Sequence, residues 1–200
     1  MTRKISNFVV GAFAVALALA SSSAHAHKLR KQGERVAVAK EAFFVTPTRD
    51  WNELSISAGK NDENWSLDGR QLNDVTFFGG IPAGSPLVRE TSSKNDPLPK
   101  FGANTLIVEV PELLEGTYRT AKKSGSFQVL STEPGTFLGH DGVIFTYQFS
   151  DEDSLTRKGE ARAAIISGKL YMMTFDAPRL NYFDKLVGEF RALADSAGLK

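Results

Sequence analysis

The residues of this chain that could support catalysis are few, and their spacing matches no common catalytic pattern. His140 and Asp141 are adjacent and could act as a general base and the group that orients it. However, the sequence has no G-x-S-x-G elbow and no H-E-x-x-H helix, and a lone histidine beside glycine is more typical of a turn. The pattern favours a protein that is not an enzyme and leaves an activity open.

Metal sites are also poorly supported. The chain has no cysteine, and after the N-terminal segment discussed below only His27 and His140 remain, so a His/Cys zinc site cannot be assembled. Asp151, Glu152 and Asp153 are adjacent acids, but their spacing does not follow the twelve-residue EF-hand loop. We therefore expect no metal, and an acidic hairpin tip at 151–153.

Nucleotides and nucleic acids lack a recognisable site. The segments FFGG and GTFLG contain glycines but no G-x-G-x-x-G pattern and no Walker lysine. The chain has 24 Lys and Arg against 23 Asp and Glu, a net charge of +1. A near-neutral protein has no general field that attracts nucleic acid. We expect no cofactor and no nucleic-acid partner.

The first 26 residues have the pattern of a signal peptide. Arg3 and Lys4 are followed by an apolar run from Phe8 to Ala20 and by the small-x-small site Ala24-His25-Ala26. The apolar run is too short to span a bilayer comfortably. We predict cleavage after Ala26 and a soluble periplasmic or secreted protein with no stable membrane anchor.

Residues 27–35 (HKLRKQGER) are predicted to be a solvated basic tail, and residues 36–200 a single α+β domain. The domain is predicted to close with a hairpin that turns at Ser167-Gly168 and pairs Ile165 with Leu170, Ala163 with Met172 and Ala161 with Thr174. A terminal helix follows, with Asn181 as N-cap and Gly198 as its stop. Its apolar stripe includes Phe190, and Arg191 is expected to face solvent.

Earlier elements follow from the same patterns. They are one strand or a pair of short strands within 36–45, a hairpin over 64–78, and a helix over 111–122 that begins at Pro111. Further strands are predicted at 126–132 (ended by Pro134-Gly135), 143–149 and 155–166. If the 150–154 loop centres on Glu152 and Asp153, Ile144 lies on the sheet face of Ala161 and Phe145 on the other. Both faces are then apolar, which predicts an antiparallel sheet covered by helices on both faces.

A long irregular stretch, 79–104, carries four prolines and four glycines, and such loops are often functional. Because prolines stiffen it, we predict a partner-binding surface made by Lys94, Asp96, Lys100 and Phe101. One alternative is a passive connection that crosses one end of the sheet. Another is a ligand pocket under the loop lined by Trp51, Trp65, His140 and Tyr147.

The C-terminal segment over 126–199, with GEARAAIISGKLYMMTFDAP and a helix ending FRALADSAGL, resembles the closing segment of PsbP-like α/β/α sandwich domains. The whole chain, with TPTRDWNELS, WSLDGRQLNDVTFFGG and VPELLEGTYR, is similar to small exported proteobacterial proteins of unknown function. Sandwich proteins of this kind are mostly accessory or binding proteins. The resemblance implies an accessory protein that contacts another envelope protein; the alternative is a small-ligand-binding protein or hydrolase with a pocket under loop 79–104.

The signal-peptide pattern gives a direct prediction. The mature protein isolated from the producing cell is expected to begin at His27 or within a few residues of it, as N-terminal sequencing or intact mass would show. Full-length chain retained in the cytoplasm or membrane would contradict it.

Overall fold

A computed structural model describes residues 28–40, 42–55, 59–92, 94–151 and 153–199. The predicted signal peptide, its cleavage site at Ala26 and His27 lie outside these ranges. Within the described ranges, neither helix has the length and apolarity needed to cross a membrane.

The main element is an eight-stranded antiparallel sheet with the order β1-β4-β5-β6-β10-β9-β8-β7. Its strands are β1 (Lys28–Arg30), β4 (Trp51–Glu53), β5 (Asp62–Ser66), β6 (Asp74–Pro82), β7 (Phe127–Phe137), β8 (His140–Ser150), β9 (Thr156–Ile166) and β10 (Lys169–Pro178). A separate small sheet pairs β2 (Val36–Val38) with β3 (Phe43–Val45). The helices are α1 (Val110–Ala121), preceded by a 3₁₀ turn (Ile107–Glu109), and α2 (Phe183–Asp195).

The β9–β10 hairpin matches the prediction. Ser167 and Gly168 both have positive φ, 49° and 72°, as a two-residue hairpin turn that fits the twist of the strands requires. The three predicted cross-strand pairs, including Ile165 with Leu170, are present. Residues 36–45 form the pair of short strands and not a single strand. The predicted hairpin over 64–78 also forms, and α1 begins one residue before Pro111.

The predicted register between β8 and β9 is wrong by one residue. Phe145, and not Ile144, is opposite Ala161, because the connecting loop contains five residues, 151–155. The Asp151 carboxylate accepts a hydrogen bond from the Leu155 N–H (2.8 Å), and Ser154 has a φ of 62°, which together close this longer turn. A shift of one residue moves every side chain of a strand to the opposite face.

Three other predictions fail at element boundaries. β7 continues through Pro134, which an outer strand tolerates because its missing N–H need not pair. Asn181 is not the N-cap of α2: it has a left-handed φ of 69°, and Tyr182 occupies the cap position. Gly198 lies beyond the helix end at Asp195 and pairs with Phe44 through two backbone hydrogen bonds.

The expected solvated tail is also wrong in part, since residues 28–30 form the outer strand β1. Arg30 holds it in place: its guanidinium lies 2.6 Å from Glu53 and 3.5 Å from Glu63, and it stacks over Trp65 at 5.8 Å from the ring centroid. Burial raises the pKa of Glu63, although its hydrogen bond from Trp65 opposes that effect. A basic residue of the tail therefore carries part of the fold.

Two separate clusters of buried apolar residues lie against the main sheet. The first core contains the buried residues of α2 (among them Phe190), β2 and β3, together with Trp51, Trp65, Met173 and Phe175. The second core contains the buried apolar residues of α1, together with Phe145, Tyr147, Ala161, Leu170 and Met172. Each helix thus packs with a different set of strand residues.

The packing of α2 yields a prediction. Phe190 is fully buried and stacks on Phe175 with ring centroids 5.6 Å apart, so Phe190→Ala is expected to lower the free energy of unfolding by about 3–5 kcal/mol. The expected solvent-facing Arg191 is in fact paired: it donates three hydrogen bonds to the carboxylate of Glu160, whose side chain is only 3% exposed.

Because Arg191→Ala leaves that carboxylate buried without its cation, we expect a loss of about 1–2 kcal/mol, reduced from the full burial penalty by the half-exposed arginine. Lys185→Ala on the exposed face of the same helix is the control, with a loss below about 0.5 kcal/mol. Urea unfolding measures all three. Equal losses for Arg191→Ala and Lys185→Ala would show that the Glu160 pair has no stabilising role.

Candidate functional site

The long loop between β6 and the 3₁₀ turn is folded onto the body of the protein. Phe101 N–H donates to the Ser85 carbonyl (2.9 Å) and Gly84 N–H donates to the Phe101 carbonyl (2.7 Å). Leu87 and Phe101 belong to the second core, each at 1% exposure, and Leu98 is also buried, at 6% exposure. The loop is therefore preorganised, and its conformation is fixed by apolar anchors.

These anchors correct one predicted site residue. Phe101 does not belong to an exposed surface, because its ring is part of the second core. Lys94, Asp96 and Lys100 are exposed, and Asp96 lines the cavity described next. Their role in binding a partner stays a prediction.

A cavity of about 760 Å³ separates the loop from the C-terminal part of α1, and we call it the loop groove. Its walls are formed by five loop residues and five residues at the helix end: Val88, Arg89, Thr91, Asp96, Leu98, Arg119, Thr120, Ala121, Lys123 and Ser124. Pro99 lies against Gly116 of α1, where an added Cβ would meet the proline ring at 3.0 Å. That contact explains a glycine inside the helix and fixes the distance between loop and helix.

The groove is positively charged along its rim. Arg89 and Lys123 are exposed and have no ion pair with another described residue, whereas Arg119 is paired with Glu115 at 2.8 Å. Asp96 is the one acidic residue of its lining. Lys123 also lies just beyond the C-terminus of α1, where a cation is favoured by the helix dipole.

A second cavity, of about 360 Å³, lies on the other side of the same helix end, and Ala121 lines both. We call it the charged pocket. Its lining consists of Arg70, Gln71, Asp74, Ala121, Lys122, Phe149, Asp151, Asp153, Arg157 and Asp176.

Asp176 is the centre of the polar network around this pocket. Its Oδ1 accepts a hydrogen bond from Arg157 Nε at 2.5 Å, and its Oδ2 lies 3.5 Å from Lys122 Nζ and 3.4 Å from the Tyr118 hydroxyl. Arg157 also donates to the backbone carbonyl of Gln71 at 2.6 Å. Burial would raise the pKa of Asp176, but Lys122 and Arg157 outweigh it, and the pKa lies below its usual value.

Asp74 is the cross-strand partner of Asp176 in the β6–β10 ladder, so the two aspartates stand side by side. Asp74 Oδ1 accepts a hydrogen bond from Asn64 at 3.0 Å, whereas Oδ2 has only Arg70 at 3.6 Å. Burial, and then the charge of Asp176, raise the pKa of Asp74 above its usual value. Neighbouring carboxyl groups thus have pKa values displaced in opposite directions.

Lys122 of the lining and two tyrosines of the second core, Tyr118 and Tyr147, complete the polar network around Asp176. Lys122 Nζ lies 3.9 Å from the ring centroid of Tyr118, and its side chain is 30% exposed. Burial alone would lower the pKa of Lys122, but Asp176 and Tyr118 raise it above its usual value. Burial raises the pKa of both Tyr118 and Tyr147, so their hydroxyls, 3.5 Å apart, remain protonated at neutral pH.

The four residues predicted to line a pocket under the loop are not brought together. Trp51 and Trp65 are fully buried in the first core, and Trp65 Nε1 donates to Glu63 at 2.7 Å. Tyr147 belongs to the second core, and His140 is exposed at the start of β8. Across the described ranges, no group of three or more His, Cys, Asp and Glu residues is arranged to hold a metal ion.

Sequence patterns did not identify the charged pocket. The sequence predicts only strands and a helix end at the positions of its key residues, Asp74, Lys122, Arg157 and Asp176. A usable signal was present: in the β10 segment, Met172, Thr174 and Asp176 alternate on one face, so a charge stands at a position predicted to be buried. Charged residues at such positions are rarely buried without a partner or a function.

Comparisons with known proteins show the fold. No model of a protein family matches the sequence, and no curated protein matches it. The solution structure of cyanobacterial PsbP (CyanoP) from Synechocystis sp. PCC 6803 superposes with a TM-score of 0.53 at 16% identity, covering 92% of this chain and 99% of that chain. The protein therefore has a PsbP-like fold, as the C-terminal sequence pattern predicts.

Weaker likenesses extend to two other proteins. The Ran-binding protein Mog1p of Saccharomyces cerevisiae has a TM-score of 0.47 at 6% identity over 85% of this chain and 96% of its own. LpqN of Mycobacterium tuberculosis, involved in cell envelope biogenesis, has a TM-score of 0.34 at 10% identity over 86% of this chain and 84% of its own. Neither is close enough to carry an argument about this protein.

The unequal environments of the two aspartates give a prediction. Asp176→Asn leaves the buried Arg157 without its counter-ion and is expected to lower the free energy of unfolding by about 3–5 kcal/mol. Asp74→Asn removes a carboxylate that burial disfavours, so at pH 7 we expect no loss, or a gain of up to about 1 kcal/mol.

The two aspartates are expected to change the free energy of unfolding in opposite directions as the pH varies. Asp74 has a raised pKa in the folded protein, so its ionisation costs stability as pH rises above the unfolded value near 4. The advantage of Asp74→Asn over wild type should therefore grow between pH 4 and the folded pKa and vanish in acid. The contribution of Asp176, with its lowered pKa, is present above pH 4 and is lost as the pH falls through that lowered value. Urea titrations across this range measure both; equal losses for the two variants would contradict it.

Proposed function

We propose that the protein is an exported accessory protein that binds another protein of the cell envelope through the loop groove. The observation that carries the proposal is the preorganised loop: buried anchors hold its exposed residues over a groove with two unpaired cations, Arg89 and Lys123. An ordered loop loses little conformational entropy when a partner docks, so more of the contact energy appears as affinity.

Export rests on the signal-peptide pattern at the N-terminus. The accessory role is supported by the PsbP-like fold. The resemblance of the C-terminal sequence to PsbP-like domains supports the same role. We further infer that the sheet is covered by helices on both faces. The support is that Met172 and Met173, adjacent on β10, belong to different cores, one packed with α1 and the other with α2.

The rival function, a small-ligand-binding protein or hydrolase with a pocket under the loop, has less support at the groove. No histidine is in the described lining of the groove, and the Ser124 hydroxyl lies 2.6 Å from the Ser126 carbonyl and 2.9 Å from the Ser150 carbonyl, so its single hydrogen is engaged by one or the other. A hydroxyl held in this way is not activated for attack. The lining fits side chains of an extended polypeptide segment, with apolar contacts at Val88 and Leu98.

The test is site-specific photocrosslinking in intact cells. A crosslinking amino acid at Asp96, inside the groove, is expected to give a defined adduct that is absent when the same group replaces Lys185 on the exposed face of α2.

A second experiment places the crosslinking amino acid at position 89 and replaces residues 92–97 with a flexible linker of equal length, while keeping the anchors Leu98 and Phe101. The linker should abolish the adduct formed from position 89 and leave the melting temperature nearly unchanged. An adduct of equal yield from positions 96 and 185, or one retained by the folded linker variant, would refute the proposal.

A further inference from the structure

We propose that the charged pocket binds a small zwitterion of the amino-acid type, with its carboxylate toward Lys122 and Arg70 and its ammonium toward Asp74. This site is separate from the loop groove, from which it is divided by the C-terminal turn of α1. The cavity of about 360 Å³ falls within the range of sites for small molecules.

One part of the pocket is structural and has no capacity left for a ligand. Arg157 uses Nε and both terminal nitrogens on the Asp176 side chain, the Asp176 carbonyl and the Gln71 carbonyl. Asp176 is in turn contacted at both carboxylate oxygens. These two residues form the floor of the pocket and hold its shape.

The other part retains unused hydrogen-bonding groups of both signs. Lys122 has three donors: its ammonium lies at the long distance of 3.5 Å from Asp176 and also contacts Tyr118 and the ring of Phe149, which leaves donor capacity toward the cavity. Arg70 is half exposed and approaches only Asp74, at 3.6 Å, beyond normal hydrogen-bond length. Asp74 is 96% shielded from solvent, since 4% of its side chain is exposed, yet its Oδ2 has no closer partner than Arg70. The Oδ2 atom of this mostly buried side chain is therefore an accessible oxygen in the lining of the cavity, and it is a position for a ligand donor.

The balance of these charges selects the ligand class. Among the described residues of the lining, two cations, Arg70 and Lys122, and three acids, Asp74, Asp151 and Asp153, remain after the Arg157–Asp176 pair is set aside. An anion alone would meet the raised-pKa carboxyl of Asp74 and the acids of the 151–155 loop, and a bare cation would meet Lys122 and Arg70. A molecule that carries a positive and a negative charge a few ångströms apart can pair with the cations and with the Asp74 carboxylate at the same time.

Arg70 provides the sharpest variant. It makes no hydrogen bond and is half exposed, so Arg70→Gln is expected to leave folding intact. Lys185→Gln, on the exposed face of α2, changes one cation far from the pocket and serves as the matched control.

The experiment measures binding of the proteinogenic L-amino acids to the purified mature protein by thermal shift, followed by calorimetry of those that raise the melting temperature. At about one hundred times Kd, a true ligand should raise the melting temperature by roughly 5–10 °C. For each such ligand, the matching acid without the amine and the matching amine without the carboxylate are expected to bind at least about tenfold more weakly, and Arg70→Gln to lose about tenfold, as for a lost charged contact. Lys185→Gln should bind as wild type does.

Each other outcome overturns the proposal. If no amino acid changes the melting temperature or gives heat, the pocket has no ligand of this class. If the acid without the amine binds equally well, the site recognises an anion only. If Arg70→Gln binds as wild type does, the ligand occupies another place. None of these results bears on the crosslinking test of the loop groove, so the two proposals fail independently.

Discussion

The ion pairs of Asp176 are the interactions on which the arrangement of both cavities depends. One carboxylate joins Arg157 of β9, Lys122 at the end of α1 and, through Arg157, the backbone of Gln71 before β6. Three segments distant in sequence thereby meet at one point. Because a buried carboxylate without cations would be strongly unfavourable, each of these segments is held where it can supply its charge or donor.

The ion pair between Lys122 and Asp176 fixes the position of the C-terminus of α1, which supplies one wall of the loop groove. Lys122 binds Asp176 on one side of the helix end, and Lys123, the next residue, turns to the groove on the other side with a left-handed φ of 47°. The contact of Pro99 with Gly116 fixes the loop nearly two turns earlier along the helix. The charged pocket and the groove thus share a wall, so a displacement of Lys122 would change both.

The sequence was informative where local chemistry decides the structure. The Ser167-Gly168 turn sets its own register, and Pro111 marks the start of α1, so these elements could be predicted. The β8–β9 register could not, because it depends on whether the Asp151 carboxylate caps a five-residue loop, a hydrogen bond that composition does not reveal. The prediction that Phe101 is exposed was wrong for a similar reason. Nothing in a proline-rich loop shows that an aromatic residue is buried until the core against which it packs is known.

The charged pocket escaped prediction because its residues come from four elements that are far apart in the chain. Only the folded sheet places Asp74 beside Asp176, and it is there that burial and the charge of Asp176 raise the pKa of Asp74. An asparagine at 74 could still accept the hydrogen bond from Asn64 without a buried charge, so stability gives no reason for the carboxylate. The raised pKa of Asp74 predicts that Asp74→Asn is neutral or stabilising, and a carboxylate of that kind in the lining of a cavity is better explained by what it binds, since proteins commonly give up some stability at functional sites. The Asp74 carboxylate is therefore the strongest single indication that this fold does more than present a loop.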